Sequence, residues 1–157
     1  MKDIHPDVIM QLYSKPQTVF TVNEVTQFFS DISYESIRDR LYYFTKIKKL
    51  LRVRQGIYAK PSYDPLELAN KIYRPSYISL ETVLAKGGVI FQYYKTIYAV
   101  SYLTRLVTTN ETSVQYRQIP KHILTNTQGI EQRVGYATAT LERAFLDAIY
   151  IYKNYLG

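Results

Sequence analysis

The chain has 157 residues, 46% of them hydrophobic and none of them cysteine, and its net charge is +7. This length suits one medium domain or two small ones, and the lack of cysteine excludes disulfides, thiolate metal sites and cysteine nucleophiles. The sequence has no apolar run of membrane-spanning length, no signal peptide and only two histidines. It therefore predicts a cytoplasmic protein with no membrane contact, no metal and no cofactor.

The positive charge is concentrated in one segment. Residues 38–60 contain eight Lys and Arg side chains and one acidic side chain, so their net charge equals that of the whole chain. Such clustering favours a polyanionic partner, and an ordinary solvated face is the alternative interpretation. The 17 tyrosines suit interfaces and phosphate contacts, or reflect the composition typical of the source organism.

Three helices are predicted in the first part of the chain, over residues 6–13, 22–29 and 34–48. Pro16 ends the first of these segments, because proline cannot continue a helix. Thr21 and Glu24 have the spacing of a capping box at the start of the second helix. Ser33 is predicted to cap the third helix.

The third predicted helix has one apolar and one polar side. Ile37, Leu41 and Phe44 recur at helical spacing, extended by Tyr34, and they predict a buried stripe. A short helix, a tight turn and a second helix with a polar, partly basic outer face form the helix-turn-helix pattern. We therefore expect this outer face to enter the major groove of a DNA duplex.

Residues 51–59 alternate between apolar and polar side chains around a Gln-Gly turn, which predicts a two-stranded hairpin. This hairpin would be the wing of a winged helix, with arginines placed to bind phosphate oxygens. The predicted DNA-binding residues are Ser33, Ser36, Arg38, Tyr42, Tyr43, Lys46, Arg52, Arg54 and Gln55.

Three further helices are predicted in the second half, over residues 65–73, 80–86 and 140–155. Asp64 and Pro65 open the first, with proline at the favoured first position, and Pro75 follows its end. Ser79 is predicted to cap the second, which the Gly87-Gly88 pair terminates.

Residues 89–118 alternate and are rich in Tyr, Val, Thr and Ile, which predicts two or three antiparallel strands with a turn at 109–111. The inner stripe of the last helix is predicted to consist of Leu141, Phe145, Ile149 and Tyr152. The fold class is therefore α+β. An N-terminal winged helix-turn-helix over residues 1–62 is followed by a small α+β domain over residues 63–157.

Five segments stand out in the second half, at residues 77–84 (YISLETVL), 88–90 (GVI), 98–101 (YAVS), 116–119 (YRQI) and 139–147 (ATLERAFLD). They resemble segments of the AbiEi-type antitoxins, the antitoxin and transcriptional-regulator halves of type IV toxin–antitoxin systems. The run from Ile37 to Ala59 is similar to the winged-helix start of this family, although many winged helices share it. Order and approximate spacing are kept from about residue 18 to 152.

The resemblance implies a regulator that represses its own operon by binding double-stranded operator DNA at inverted repeats. It also implies a partner toxin resembling a nucleotidyltransferase, which is counteracted without catalysis and without a stable complex. One departure concerns Lys48, which replaces a glycine that often closes the recognition helix in this family. A lysine in a left-handed cap costs about 1 kcal/mol, so we expect this helix to end differently.

The sequence predicts no enzyme, because no credible catalytic set is present. Glu142 and Asp147 are about 140° apart around a helix and do not share a face. Leu80 and Leu84, like the stripe of the last helix, are assigned to a core, and Arg143 is expected to complement the helix dipole or to pair with a neighbouring segment.

The antitoxin role is therefore assigned to surface positive charges of the second half. The residues chosen are Lys86, Lys95, Arg105, Arg117 and Lys121, with Lys71, Arg74 and Arg133 as further surface positives. Ordinary solubility charge is the alternative interpretation of each of them. Two other functions stay open, a stand-alone winged-helix transcription factor or nucleic-acid-binding accessory protein without a toxin, and an RNA-binding module.

Overall fold

The computed structural model describes residues 8–90, 95–109 and 111–156 and has an α+β fold with two sheets. The first sheet and its helices contain α1 (Val8–Ser14), β1 (Val19–Thr21), α2 (Val22–Phe28), α3 (Tyr34–Lys46), β2 (Leu51–Arg54) and β3 (Ile57–Ala59). The following elements are α4 (Pro65–Ile72), β4 (Tyr77–Ile78), α5 (Glu81–Lys86), β5 (Ile97–Ser101), β6 (Arg105–Thr109), β7 (Thr112–Gln118), α6 (Lys121–Leu124), β8 (Ile130–Arg133), β9 (Tyr136–Ala139) and α7 (Leu141–Leu156).

Local capping signals set the starts of α2 and α3. The Thr21 hydroxyl accepts a hydrogen bond from the Glu24 amide at 3.1 Å, and the Thr21 amide donates to the Glu24 carboxylate at 2.9 Å. The Ser33 hydroxyl accepts from the Ser36 amide at 3.2 Å. Both predicted caps are confirmed, and so are the three helices. Residues 6 and 7, the predicted start of the first helix, lie outside the described residues.

The first core lies among α1, α2 and α3. Phe20, Val25, Ile37 and Leu41 are among its fully buried members, and Phe44 packs against it from the side. Tyr34, which we expected to extend the buried stripe, is exposed. It occupies the first position of α3, and the buried cluster begins one turn later in that helix.

The end of α3 differs from the expectation drawn from the resemblance to the antitoxins. Lys48 has a φ of 61°, so lysine occupies the left-handed position that glycine favours. The Lys49 amide then donates to the Phe44 carbonyl at 2.9 Å, which closes the helix end. The cap therefore forms despite the lysine, at a cost of about 1 kcal/mol relative to glycine.

The first sheet has the strand order β1-β3-β2, with antiparallel pairing throughout. The hairpin formed by β2 and β3 is where the sequence predicts it. Strand β1 was not predicted, because a three-residue strand is too short to give a periodic signal. Its pairing with β3 places the start of α2 beside the hairpin turn, where the Val22 amide donates to the Gly56 carbonyl at 3.1 Å.

The second sheet has six strands in the order β6-β7-β5-β4-β9-β8. Strands β6 and β7 form the predicted antiparallel pair around residues 109–111, of which residue 110 lies outside the described residues. Strands β5 and β7 are parallel, so the prediction of antiparallel pairing throughout was wrong. The chain leaves β5, turns back in β6 and returns in β7, which puts two strands of equal direction side by side.

Helices cover both faces of the second sheet. Ala69 of α4 packs with Ile78 and Tyr116 on one face, and Ala144 of α7 packs with Val100 and Leu80 on the other. Leu80 and Leu84 are buried as predicted. Within the described part of the chain, no helix combines the length and apolar character that a membrane crossing requires.

Two details of this second half correct the sequence expectations. Ser79 does not cap α5, because its hydroxyl donates instead to the Asp147 carboxylate, and Leu80 occupies the cap position with a φ of 57°. Of the predicted inner stripe of α7, Leu141 and Tyr152 pack against the core, whereas Phe145 and Ile149 are exposed, so the buried side of the helix is rotated from the predicted one.

The first sheet and the second half share buried surface. Ile57 and Ala59 of β3 pack with Leu68 of α4 in one hydrophobic cluster. Beside this cluster the buried Glu67 carboxylate accepts from the backbone amide of Thr18 at 2.9 Å and from its hydroxyl. The boundary predicted at residue 62 therefore lies in a segment between two parts that are packed on each other.

Candidate nucleic-acid interface

The outward side of α3 carries exposed polar and aromatic side chains. Ile37 and Leu41 fix the inward side, because both are fully buried. Arg38, Tyr42, Tyr43 and Lys46 are exposed, as the sequence predicts, and so is Ser33 at the start of the helix, while Ser36 is half-buried. Tyrosine hydroxyls and basic groups on an exposed helix can donate to phosphate oxygens or to base edges.

One contact joins two of the side chains on this face. The Lys46 ammonium lies 4.8 Å from the centre of the Tyr42 ring, a cation–π contact that places the charge above the aromatic side chain. The face also carries the exposed carboxylates of Glu35 and Asp39, one turn apart. The basic groups are therefore concentrated toward the C-terminal part of α3 and the hairpin.

The two wing arginines lie on opposite faces of the hairpin. Arg52 is paired with Tyr58 across the hairpin, whereas Arg54 is paired with Ile57, because a bulge at Val53 shifts the register by one residue. Cross-strand partners share a face of a sheet. Arg52 therefore lies on the side of Tyr58, which packs with the helices, and Arg54 lies on the side of Ile57, which packs with α4.

The electrostatics agree with this position of Arg54. Burial raises the pKa of Tyr116 in the second half, the neighbouring Tyr73 adds to that rise, and the positive charge of Arg54 opposes it. Both arginines and Gln55 at the turn are exposed. Of the two arginines, Arg52 is thus placed to act together with α3, and Arg54 faces the second half of the chain.

Two exposed lysines that were not among the predicted DNA-binding residues complete the basic surface. Lys48 and Lys49 lie between α3 and β2, at the junction of the helix and the hairpin. Neither lysine belongs to a segment with a periodic pattern of buried and exposed residues, so periodicity did not place them on this surface. We call the exposed set Arg38, Tyr42, Tyr43, Lys46, Lys48, Lys49 and Arg52 the basic surface.

The five residues predicted as an antitoxin surface do not form one face. Lys86, Lys95 and Lys121 are exposed on separate segments. Arg105 is opposite Tyr116 in the β6–β7 pair, and its guanidinium donates to the Tyr73 hydroxyl at 2.9 Å. Arg117 is half-buried and, as the residue after Tyr116 in β7, lies on the other face of the sheet.

The Arg117 guanidinium lies 5.6 Å from the ring centre of Tyr152 on α7. The face of the sheet that carries Arg117 is therefore the one covered by α7. Residues on opposite faces of a covered sheet cannot contact one flat partner surface together. A single antitoxin surface that includes both arginines is therefore not formed.

Lys71 was predicted to be at the surface and is buried. Its ammonium donates to the Glu24 carboxylate of α2 at 2.5 Å, and Arg74 reaches the same carboxylate at 3.3 Å from a more exposed position. Burial alone would raise the pKa of Glu24, but the hydrogen bonds from Lys71 and Thr21 and the nearby positive charges hold it below its ordinary value. The pair joins the two halves of the chain and is not available to a partner.

The segments at residues 77–79 and 143–147 meet in a buried polar cluster. The Asp147 carboxylate accepts from the Tyr77 hydroxyl at 2.9 Å and from the Ser79 hydroxyl at 2.8 Å, and it lies 3.4 Å from Nε of Arg143. The Arg143 guanidinium also donates to the carbonyls of Ile123, Asn126 and Gln128. Burial, together with the charge of Asp147, raises the pKa of Tyr77 far above its ordinary value.

These contacts indicate a structural role for the cluster. It holds α7 against β4 and against the segment that follows α6, and each of its members has hydrogen-bond partners inside the protein. Arg143 thus pairs with neighbouring chain segments, as expected from the sequence.

Comparison of the sequence with protein-family models and with curated proteins returned no match in either case.

Proposed function

We propose that residues up to about 61 form a winged helix-turn-helix that binds duplex DNA. The order of helix, strand, two helices and hairpin, with a three-stranded sheet, supports this proposal. In such a unit the second helix of the turn enters the major groove and the hairpin contacts the neighbouring backbone. Here those elements are α3 and the hairpin of β2 and β3.

The observation that carries the proposal is the basic surface. Its basic members are exposed on α3, at the junction and on β2, and residues 40–60 contain no acidic side chain. An array of positive charges on adjoining elements, interleaved with tyrosines, matches the regular charges of a phosphate backbone. Beyond Asp39 this surface therefore differs from a solvated face without a partner, which would be expected to carry charges of both signs throughout.

The test uses two double variants with the same net charge. Arg52→Ala/Lys49→Ala removes two charges from the basic surface, and Lys95→Ala/Lys121→Ala removes two exposed charges elsewhere. We expect the first to weaken binding to a 20-base-pair duplex by roughly tenfold or more in fluorescence anisotropy, and the second by less than about twofold. Equal losses in the two variants would refute a localised DNA interface, and stronger binding to double-stranded RNA than to DNA would favour the RNA-binding alternative.

Base reading is assigned to the exposed side of α3. Arg38 is the strongest candidate, because a guanidinium can bind guanine at two atoms for about 1–3 kcal/mol of discrimination. Ser36, half-buried beside the cap, has less room to reach a base. If Arg38→Ala weakens cognate and random duplexes equally, Arg38 contacts phosphate and the assignment is wrong.

We further propose that the protein is the antitoxin of a type IV system, autorepressing its operon and counteracting a nucleotidyltransferase-like toxin without catalysis. The resemblance of the second half to the antitoxin segments supports this proposal. The structural role of Arg143 and Asp147 in the buried polar cluster also supports it. Where no toxin gene is adjacent, a stand-alone transcription factor is the alternative function.

The DNA-binding role and the antitoxin role are to be tested separately in the full-length chain. Truncation near residue 62 is unsuitable, because it would expose Leu68 and leave Glu67 and Lys71 without partners. Arg52→Ala/Lys49→Ala should still rescue growth inhibition by the neighbouring toxin while it loses repression of the operon. Loss of rescue by this variant, at an unchanged protein level, would place the antitoxin role in the DNA-binding half.

A further inference from the structure

Helix α7 exposes a continuous apolar stripe. Phe145, Leu146, Ile149 and Tyr150 are 51%, 62%, 43% and 41% exposed, respectively. At about 100° per residue these four side chains lie within an arc of roughly 140° on one side of the helix. The buried residues Ala144 and Asp147 face the sheet, so the stripe is directed away from the protein's own core.

A charged residue of opposite sign stands at each end of the stripe. Glu142 precedes it and Lys153 follows it, and both are exposed. Helical geometry places Glu142 about 20° and Lys153 about 40° from Ile149 around the helix, so both lie near the middle of the arc. The Lys153 ammonium lies 5.1 Å from the Tyr150 ring centre, so this charge adjoins the apolar end of the stripe.

The order of these side chains is self-complementary. Reversing the helix about its midpoint between residues 147 and 148 exchanges Glu142 with Lys153. The same operation exchanges Phe145 with Tyr150 and Leu146 with Ile149. Each side chain of the stripe therefore meets a suitable partner on an antiparallel copy, and the Glu142–Lys153 ion pair and the Phe145–Tyr150 aromatic pair are each formed twice. Such self-complementarity is what a two-fold interface requires.

We propose that this stripe is the interface of a homodimer, in which the α7 helices of two copies pack antiparallel. Leu146 and Ile149 form its centre, the aromatic residues flank them, and the Glu142–Lys153 ion pairs close both ends. A groove of about 540 Å³ runs beside the stripe between α7 and residues 119–129, and Leu146 and Tyr150 also line it. The partner's flanking side chains extend the contact into this groove.

The exposed area indicates a weak dimer. The four apolar side chains expose on the order of 400 Å² in each copy, and hence roughly 800 Å² in the pair. Stable interfaces bury about 1,200–2,000 Å² in total. The charged ends and the groove bring the interface toward the lower limit of that range, so we expect a dissociation constant in the micromolar range.

The inference is independent of the proposed DNA binding, since it rests only on α7. If both hold, the two-fold axis presents two α3 helices, which suits a site made of inverted half-sites. Failure of the dimer would leave DNA binding by a single copy untouched, and failure of DNA binding would leave the dimer in place.

Sedimentation velocity of the full-length chain from about 1 to 300 μM tests the interface. The parent should shift from monomer to dimer across this range. Leu146→Glu places two carboxylates at the apolar centre and should weaken the dimer at least tenfold. The matched control is Leu106→Glu, because Leu106 is 59% exposed on β6, away from α7. A parent that stays monomeric throughout, or a control that dissociates as far as Leu146→Glu, overturns the proposal.

Charge exchange tests the antiparallel register and does not depend on the folding of a core variant. Glu142→Lys alone, or Lys153→Glu alone, sets like charges against each other at both ends and should weaken the dimer roughly five- to tenfold. The double exchange should restore the parent value within about twofold, and an equimolar mixture of the two single variants should form a heterodimer. Single variants that dimerise like the parent, or a double variant weaker than both, would overturn the register.

Discussion

Replacing Asp147 by alanine removes the central acceptor of the buried polar cluster. This carboxylate is 2% exposed and accepts hydrogen bonds from Tyr77 and Ser79 while facing Arg143. Alanine leaves two hydroxyls without this acceptor and a buried guanidinium without its counter-charge. Breaking a buried pair from one side costs about 3–5 kcal/mol. Because Arg143 keeps its backbone carbonyls, we expect about 3 kcal/mol for Asp147→Ala.

The measurement is urea unfolding followed by far-UV circular dichroism, together with a thermal scan. A loss of about 3 kcal/mol corresponds to a fall in Tm of roughly 6–12 °C for a chain of this size. The matched control is Glu131→Ala, because Glu131 and Arg133 form a closer pair at 2.7 Å that is exposed. An exposed pair contributes less than about 1 kcal/mol. If Asp147→Ala costs no more than Glu131→Ala, the argument that burial and the hydrogen-bond network stabilise this part of the fold is wrong.

Three further outcomes are expected. Lys48→Gly should raise the free energy of unfolding by about 0.5–1 kcal/mol, since glycine adopts the left-handed cap without steric cost, and a destabilised variant would contradict this. Asp39→Asn should strengthen duplex binding at low salt about twofold to fivefold by removing a like charge beside the phosphates, whereas Glu131→Gln should not. Stability should fall as pH rises past the ordinary tyrosine pKa of 10.0, because Tyr77 and Tyr116 have raised pKa values and stay neutral only in the folded state. A urea midpoint that stays constant from pH 8 to 11 would contradict the last expectation.

The sequence predicts the first half well because its signals are local. The caps at Thr21 and Ser33 each join residues three apart, so the spacing alone identifies them. The one-residue bulge beside Arg52 cannot be recognised in the alternation of apolar and polar residues, yet it determines which face of the hairpin Arg54 occupies.

The second half depends on contacts between distant residues. Helix α7 has apolar residues on both sides, so its periodicity does not identify the buried side. Hydrogen bonds donated to Asp147 by Tyr77 and Ser79, about 70 positions away in the sequence, fix the register and turn Phe145 outward. The parallel pairing of β5 with β7 likewise follows from the path of the chain and not from the composition of either strand.

The dependence of duplex affinity on salt concentration tests the DNA-binding proposal most directly. Each neutralised phosphate adds about −0.9 to the slope of log affinity against log salt, so roughly four to six basic contacts predict a slope of about −4 to −5. Arg52→Ala/Arg54→Ala should flatten the slope by about 0.9, and Arg52→Ala alone should account for most of that change, because Arg54 faces the second half. Lys95→Ala/Lys121→Ala should leave the slope as it is in the parent. A slope near zero in the parent, or one that the arginine variants leave unchanged, would contradict the account of α3 and the hairpin as a DNA-binding surface.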